Sequence, residues 1–297
     1  MTVREQLVDV YESLGELDQL NIYGSDGVTV DLSTAGSTKI LSALNSSQYA
    51  IATWRDDAKM RALRLRTFYQ EQYGQVTVSE GECPSAGTTS TVALAAADQG
   101  QVDNYYQGWV VKTGDESRLV VASDGTTVTV GRVWSTAPAS GDTYLLTRRW
   151  LDVTMTGGVE DVLRVTDLTA DVELDRGEQA DYFRSTMAEV GDPSAWFRSG
   201  TRLYLDRAPD STRYFLMQLY RLPTTMTALT DESELPVQFH RGMVLWVLGY
   251  WGFAREFEPA MAYSFQRKFN DFMKETMSEY EVTSWRDGGP EVYVEAT

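Results

Sequence analysis

Few residues in this chain are equipped to make or break bonds. One histidine, His240, and one cysteine, Cys83, are the only candidates for a Ser-His-Asp or Cys-His site. His240 stands in Glu-Leu-Pro-Val-Gln-Phe-His-Arg-Gly-Met, which reads as the first or second turn of a helix. There an imidazole facing a carbonyl or a neighbouring group is the expected arrangement. Cys83, in Gly-Glu-Cys-Pro-Ser-Ala-Gly, is a loop thiol beside an acid, which raises its pKa and weakens it as a nucleophile. A lone cysteine also excludes an internal disulfide and any thiolate cluster for zinc or iron–sulfur. No GxxxxGK[ST] or GxGxxG run is present to cradle a phosphate. Ser25-Asp26-Gly27, Asp124-Gly125 and Asp287-Gly288-Gly289 are turn signals without the flanking acids of a calcium loop. Carboxylate pairs such as Asp56-Asp57 and Glu160-Asp161 suit glycosidase chemistry in type, but 43 acids supply such pairs by chance. Trp109, Trp134 and Trp150 have faces that could stack on sugars or fill a core. The reading is of a non-enzyme that needs no cofactor and no metal.

These residues sit in a chain of 297, with 26 basic and 43 acidic side chains and a formal charge of −17. That length allows one large domain or two smaller ones and a core that needs no staples. Such a charge repels nucleic-acid phosphates, so tight wrapping of DNA or RNA is not expected. It suits either plain solubility or a surface past which nucleic acid slides, and composition does not choose. The longest apolar candidate for a membrane span, residues 243–254, is too short and contains Gly249 and Gly252. The opening Met-Thr-Val-Arg-Glu-Gln-Leu lacks the pattern of a secretion signal.

Helices must carry the ends of the chain. Thr2-Val3-Arg4-Glu5 is a capping box, followed by Val3, Leu7, Val10, Leu14 and Leu17 on one face. Asp31-Leu32-Ser33-Thr34 offers the next cap, and a second helix is expected over residues 37–54 with Ile40, Leu41, Leu44, Ile51 and Trp54 inward. Residues 58–75 read equally as helix or strand. A third helix should open at Pro236 in its first turn, with Phe239, Met243, Trp246, Val247 and Tyr250 apolar. A fourth spans residues 259–280 with Met261, Phe265, Phe269, Phe272 and Met273 at core spacing, completing a small bundle.

Between these ends the pattern is of strands. Residues 107–112, 118–121, 127–130 and 143–147 alternate, and Asp124-Gly125 is a tight-turn signal. They form an all-β module, sandwich or barrel, over residues 76–149, entered by a small, polar linker at residues 85–90. Strands are then expected at 162–166, 171–174, 196–197, 203–205 and 215–220, with a helix at 178–190. The last fifteen residues, 283–297, are an extended terminus, either frayed or an arm. Val292-Tyr293-Val294 alternates within it, as an edge strand would.

At this point the ordered series resembles a known family. Ile40-Leu41-Ser42-Ala43-Leu44-Asn45 with Gln48 is similar to the opening helix of bacteriophage head-to-tail adaptor proteins. Gly191-Asp192-Pro193, Trp196-Phe197, Gly200, Leu203-Tyr204-Leu205-Asp206 and Ala208-Pro209-Asp210 follow in the same order. Leu219-Tyr220-Arg221-Leu222-Pro223 and Leu229-Thr230-Asp231-Glu232-Ser233-Glu234-Leu235-Pro236, then Phe239-His240, close the run. The resemblance covers residues 30–75 and 150–282 well. It covers the β insertion loosely, through Tyr105-Tyr106-x-Gly108 and Ala137-Pro138-x-x-Gly141-Asp142. The positions that carry the pattern are Leu44, Asn45, Trp196, Tyr220, Pro223, Leu235, Pro236 and His240.

The resemblance implies an α+β fold: a small helical bundle with short sheet elements (residues 1–75 and 150–282), an inserted all-β module (76–149) and an extended C-terminal arm (283–297). It implies a structural virion protein at the neck, assembled in the host cytoplasm. Its copies would form a ring, commonly of twelve, between the portal protein and a tail tube, tail nozzle or stopper protein. Genomic DNA would pass through without sequence-specific binding, and no membrane is involved. The arm, through Trp285, Val292, Tyr293 and Val294, would dock on the portal, and the β module would lie outside the ring, where a fibre protein is one possible partner. The competing readings are a carbohydrate-binding or tail-fibre and baseplate-associated protein, resting on the three tryptophans, and a carboxylate-based hydrolase.

Overall fold

The computed structural model describes all residues except 15–21, 28, 57–60, 63–67, 156, 179–188, 253–258 and 287–297. The chain divides into two compact units. The first comprises residues 1–69, 155–160 and 220–297, the second residues 70–154 and 161–219.

The first unit is built on helices. In α1 (Val3–Ser13) the expected capping box is present. The Glu5 amide donates to Thr2 Oγ1 at 3.4 Å, and the Thr2 amide donates back to Glu5 Oε2 at 2.8 Å. Val3, Leu7 and Val10 are fully buried one turn apart. Helix α2 (Ala35–Ala52) begins two residues before the expected start because Thr34 is its cap, its Oγ1 accepting from the Ser37 amide at 3.1 Å. Ile40, Leu44 and Ile51 turn inward, whereas Leu41 and Trp54 are only half-buried.

The helix expected to open at Pro236 is composite. Pro236 lies just outside it, extended, and is followed by a 3-10 turn (Val237–Phe239), α3 (His240–Trp246) and a π-helical turn (Val247–Gly252). Helix α4 (Pro259–Arg286) starts as expected but runs six residues beyond 280. Four helices share one core in which Phe239, Met243, Phe269 and Met273 join the α1 and α2 stripes. Close approach of α3 and α4 depends on two glycines. A Cβ on Gly242 would stand 2.9 Å from the Phe272 ring, and one on Gly249 2.8 Å from the Gln266 amide nitrogen. Widening at the π turn leaves the Gly249 carbonyl to accept from Gln266 Nε2 at 2.9 Å.

Strands β1 (Arg55–Asp56) and β2 (Arg61–Ala62) make a short antiparallel pair. Then follow β3 (Tyr69–Val76), β4 (Val78–Glu82), β5 (Thr91–Ala93), β6 (Val110–Thr113), β7 (Glu116–Ser123), β8 (Thr127–Val130) and β9 (Thr143–Thr147). After them come β10 (Trp150–Asp152), β11 (Val159–Asp167), β12 (Val172–Arg176), β13 (Ala195–Ser199), β14 (Arg202–Leu205) and β15 (Arg213–Arg221). Residues 69–75, undecided between helix and strand, are therefore strand. The helix expected at 178–190 lies mostly outside the described residues.

These strands form two sheets. A seven-stranded one has the order β10-β14-β13-β12-β11-β15-β3, with β12 and β13 parallel. Its two edge strands come together, since Gln72 Nε2 on β3 donates to the Asp152 carbonyl at 3.2 Å. A six-stranded sheet, β4-β9-β6-β7-β8-β5, is antiparallel throughout and wraps a single core of Val92, Val111, Val120, Val128, Val130, Trp134, Tyr144 and Leu146. One continuous sheet around one core is a barrel-like module rather than a sandwich. Its strands run from Val78 to Thr147. The β7–β8 connection is the expected tight turn. Gly125 has φ +82°, and Asp124 Oδ1 accepts from the Thr126 and Thr127 amides at 3.0 and 2.8 Å.

Two expectations need correction here. Residues 85–90 are not an entry linker but the connection between β4 and β5. The Gly87 amide donates to the Pro138 carbonyl at 2.8 Å, and a Cβ on Gly87 would fall 2.3 Å from the Thr91 carbonyl oxygen. The strand expected from residue 107 begins only at Val110, because a turn at Asn104 (φ +63°) and Gly108 (φ +85°) precedes it. Residues 150–154 and 161–219 group with the barrel-like module rather than with the helices.

Candidate functional site

Five of the eight positions carrying the family pattern, Asn45, Pro223, Leu235, Pro236 and His240, lie in or bond to residues 222–236, a strap that has little regular structure of its own and is held by three helices of the first unit. Its entry is fixed where β15 ends. Pro223 is buried and has no amide to extend a ladder, and the Leu222 amide donates instead to the Gly158 carbonyl at 2.9 Å. Gly157 (φ +84°) leaves room for this turn, since a Cβ there would lie 2.4 Å from the Leu222 carbonyl oxygen.

From α1, the Val3 and Arg4 amides, which have no partner inside their helix, donate to the Asp231 and Leu229 carbonyls at 2.8 and 3.1 Å. From α2, Asn45 reads the strap backbone in both directions. Its Nδ2 donates to the Met226 carbonyl at 3.0 Å, and its Oδ1 accepts from the Met226 amide at 2.8 Å. One turn on, Gln48 Nε2 donates to Asn45 Oδ1 at 3.2 Å, while Gln48 Oε1 accepts from Ser233 Oγ at 2.7 Å. Leu44, beside Asn45, is fully buried in the helical core, as is Leu235 nearly so. From α3, His240 Nε2 meets the Leu235 carbonyl at 2.9 Å, and Nδ1 lies 3.2 Å from the Met1 amino group. The histidine faces a carbonyl, as its sequence position implied.

Carboxylates tie the strap to itself. Glu234 accepts from Arg221 Nη1 at 2.6 Å, the Thr224 amide at 2.9 Å and Thr224 Oγ1 at 3.1 Å. Burial pushes its carboxyl up, but these donors outweigh it and its pKa is lowered. Asp231 is also lowered, by the Thr227 and Ala228 amides that its Oδ2 accepts at 2.7 and 2.8 Å. His240 is lowered, chiefly because burial disfavours the charged ring. Of the strap's holders, Asn45 and His240 stand out in the sequence. Met226 and the two α1 amides do not, because a backbone partner leaves no mark on residue type.

The remaining pattern positions play other parts. Tyr220 packs its ring against Tyr69 at 6.0 Å and 71°. Pro236 precedes the 3-10 turn and accepts from the Phe239 amide at 2.9 Å. Trp196 belongs to the second unit. It is buried on β13, donates from Nε1 to the Leu174 carbonyl at 3.2 Å, and carries the Arg176 guanidinium 5.5 Å above its ring. Trp285 lies in the last turn of α4 rather than in an extended arm, which moves the start of any arm past Arg286. Val292, Tyr293 and Val294 lie outside the described residues.

The three tryptophans that suggested sugar stacking are packed in the second unit. Trp134 and Trp150 are 3% and 7% exposed and are covered by Arg118 at 5.2 Å and Arg202 at 4.7 Å. Trp109 stands edge-on between Tyr106 and Trp150. Cys83 is buried and its thiol pKa is raised, first by burial and then by the Asp142 charge. In the barrel interior, Asp98 accepts from Ser79 Oγ at 2.6 Å and Tyr144 OH at 2.5 Å. Burial and that carboxylate push Tyr106 up to about 12 and Tyr144 higher still. Among the described residues no three His, Cys, Asp or Glu side chains are placed to hold a metal ion, and no helix is long and apolar enough to cross a membrane.

Comparison with known proteins agrees with the pattern. A family model described as SU10 adaptor protein matches residues 29–291. That span includes the strap, α2 to α4 and the whole of the second unit. No curated protein matches the chain.

Proposed function

This chain belongs to the SU10 adaptor protein family, which makes it a bacteriophage structural adaptor rather than a member of an enzyme class, and we propose that it is the head-to-tail adaptor of a virion neck. Its copies close into a ring, of twelve by the family resemblance, between the portal protein above and a tail tube, nozzle or stopper protein below. The family match over residues 29–291 carries this reading. The strap supports it: a backbone path pinned at Met226, Leu229, Asp231 and Leu235 stiffens a subunit that has to hold a fixed angle to its neighbours.

The formal charge of −17 then serves the channel. Carboxylates facing the bore repel passing DNA, and screening over about 8 Å in physiological salt keeps that repulsion at the wall. DNA passes without sequence-specific contacts. Residues 287–297, led in by Trp285 at the end of α4, form the portal-docking arm through Val292, Tyr293 and Val294. The barrel-like module of β4 to β9 faces outward, where a fibre protein is a fitting partner.

Assembly with the portal protein of the same phage tests the reading. Mixed with it, the full chain is expected to give closed rings in negative stain and a matching mass by light scattering. A chain ending at Arg286 is expected to keep its circular dichroism spectrum and lose portal binding. Free monomer beside intact portal would overturn the ring, and undiminished binding by the shortened chain would remove the arm from the account.

A further inference from the structure

In the turn that precedes β6 the fold leaves several polar side chains unused. Residues 99–109 read Gln-Gly-Gln-Val-Asp-Asn-Tyr-Tyr-Gln-Gly-Trp, with three aromatic rings, four carboxamides, one carboxylate and no basic group. The backbone is pinned to β7 and to the β7–β8 turn. The Gly100 amide donates to the Gly125 carbonyl at 2.9 Å, the Asn104 amide to the Ser123 carbonyl at 2.8 Å and the Gly108 amide to the Val120 carbonyl at 2.8 Å. Asn104 takes the left-handed conformation (φ +63°) that its short polar side chain tolerates. Tyr106 is buried, its amide donating to Ser123 Oγ at 3.3 Å and its hydroxyl to the Asp98 carbonyl at 2.9 Å. Tyr105 meets Tyr106 edge-on at 4.9 Å and Trp109 at 5.9 Å, yet remains 47% exposed. Gln101, Asp103, Asn104 and Gln107 are exposed too, and among the described residues their side chains have no hydrogen-bond or ion-pair partner.

A pinned backbone that presents an aromatic ring among free amides is preorganised, so a ligand need not order them on arrival. The chemistry selects the ligand. Carboxamides donate and accept at once, which matches sugar hydroxyls. An aromatic ring offers its face to the apolar C–H side of a pyranose. A nucleic acid, a phosphate or an acidic sugar calls for a cation, and the turn has none. A protein hot spot centres on a desolvated cluster of anchors, whereas Val102 is the one aliphatic side chain here. We propose that the 99–109 turn is a binding site for a neutral saccharide. The sugar stacks on Tyr105 and bonds to the carboxamides of Gln101, Asn104 and Gln107, while Asp103 accepts from a hydroxyl. Trp109 braces Tyr105 rather than serving as the platform, and Trp134 and Trp150 take no part. The site lies within the second unit and does not depend on ring assembly.

The full chain is tested on a printed array that carries maltohexaose, cellohexaose, chitohexaose and mannohexaose beside sialylated glycans. At least one of the neutral probes is expected to bind, and the sialylated ones are expected to be refused. Tyr105→Ala is expected to weaken that binding about tenfold, the scale of one lost stacking contact. Tyr105 also touches Tyr106 and Trp109, so Gln101→Ala and Gln107→Ala supply variants that leave the packing intact. Their side chains hold nothing in the fold, so Tm should stay at the wild-type value while affinity falls about fivefold, the scale of one net hydrogen bond. Failure of wild type to bind any neutral probe, preference for the sialylated glycans, or undiminished binding by all three variants each overturns the proposal.

Discussion

Replacing Asn45 by Ala is the sharpest probe of whether the strap is held as described. The wild-type carboxamide makes two reciprocal bonds to Met226, at 2.8 and 3.0 Å, and receives a third from Gln48 at 3.2 Å. A typical net hydrogen bond contributes about 1 kcal/mol, and a buried group stranded without a partner costs about 1–3 kcal/mol. Met226 is 3% exposed, so its backbone groups have little access to replacement water. Asn45 itself is only half-buried, which keeps the estimate at the lower end, about 2–3 kcal/mol in total. In urea, followed by far-UV circular dichroism of the helices, the midpoint should fall with the slope unchanged. For a unit of this size a loss of that order lowers Tm by about 2–4 °C per kcal/mol. Asn45→Asp sharpens the test. It keeps the acceptor for the Met226 amide but sets a carboxylate oxygen against the Met226 carbonyl. It should therefore be at least as destabilising as Ala near neutrality and recover in part below pH about 4, where the acid regains a proton to donate. If Asn45→Ala stays within about 0.5 kcal/mol of wild type, the magnitude expected of an incidental surface change, the two-way reading of Met226 is wrong as an energetic statement.

Two further expectations concern the second unit. Gly81→Ala places a Cβ 2.6 Å from the Tyr144 ring, which cannot swing aside because its hydroxyl accepts from the Ala95 amide and donates to Asp98. The barrel should lose about 1–3 kcal/mol in thermal unfolding while the helical transition stays put, and an unmoved barrel transition would show that the ring yields. Cys83, buried with a raised thiol pKa, should resist a disulfide reagent such as DTNB at pH 8 in the native protein and react fully once unfolded in guanidinium chloride. Rapid native reaction would mean that the barrel opens at that edge.

What the sequence disclosed were features whose partners lie within a turn or two. The Thr2–Glu5 box and the Asp124-Gly125 turn each depend on residues at most three positions apart, and both are found as read. The apolar stripes of α1, α2 and α4 were largely readable for the same reason, since helical periodicity is itself local, although Met261, read as inward on the first turn of α4, is 45% exposed. The composite third helix was not. Its π turn depends on the fit of Gly249 against the Gln266 backbone, seventeen residues away on another helix. Nor was the strap, whose principal bond joins Asn45 to a backbone 181 positions on. A family resemblance placed Asn45 and His240 among the residues to watch but could not say that both hold the same segment.

The misread stretch at residues 85–90 marks the limit of composition more sharply. Small polar residues there suggested a flexible connection, yet Gly87 is small because Thr91 O leaves no room for a Cβ, and Thr88 and Thr91 are polar because their hydroxyls bond each other at 2.9 Å. A linker and a tightly folded turn draw on the same residues, since both avoid bulky side chains. They differ in where the backbone amides go. At Gly87 the amide goes to Pro138 across the barrel, and a long-range backbone bond of that kind turns a would-be tether into part of the wall. The same logic runs through the strap, where backbone amides and carbonyls of residues 222–236 are taken by side chains and helix termini on three separate helices. In both places the fold is fixed by partners for the main chain, and residue type records only half of each pair.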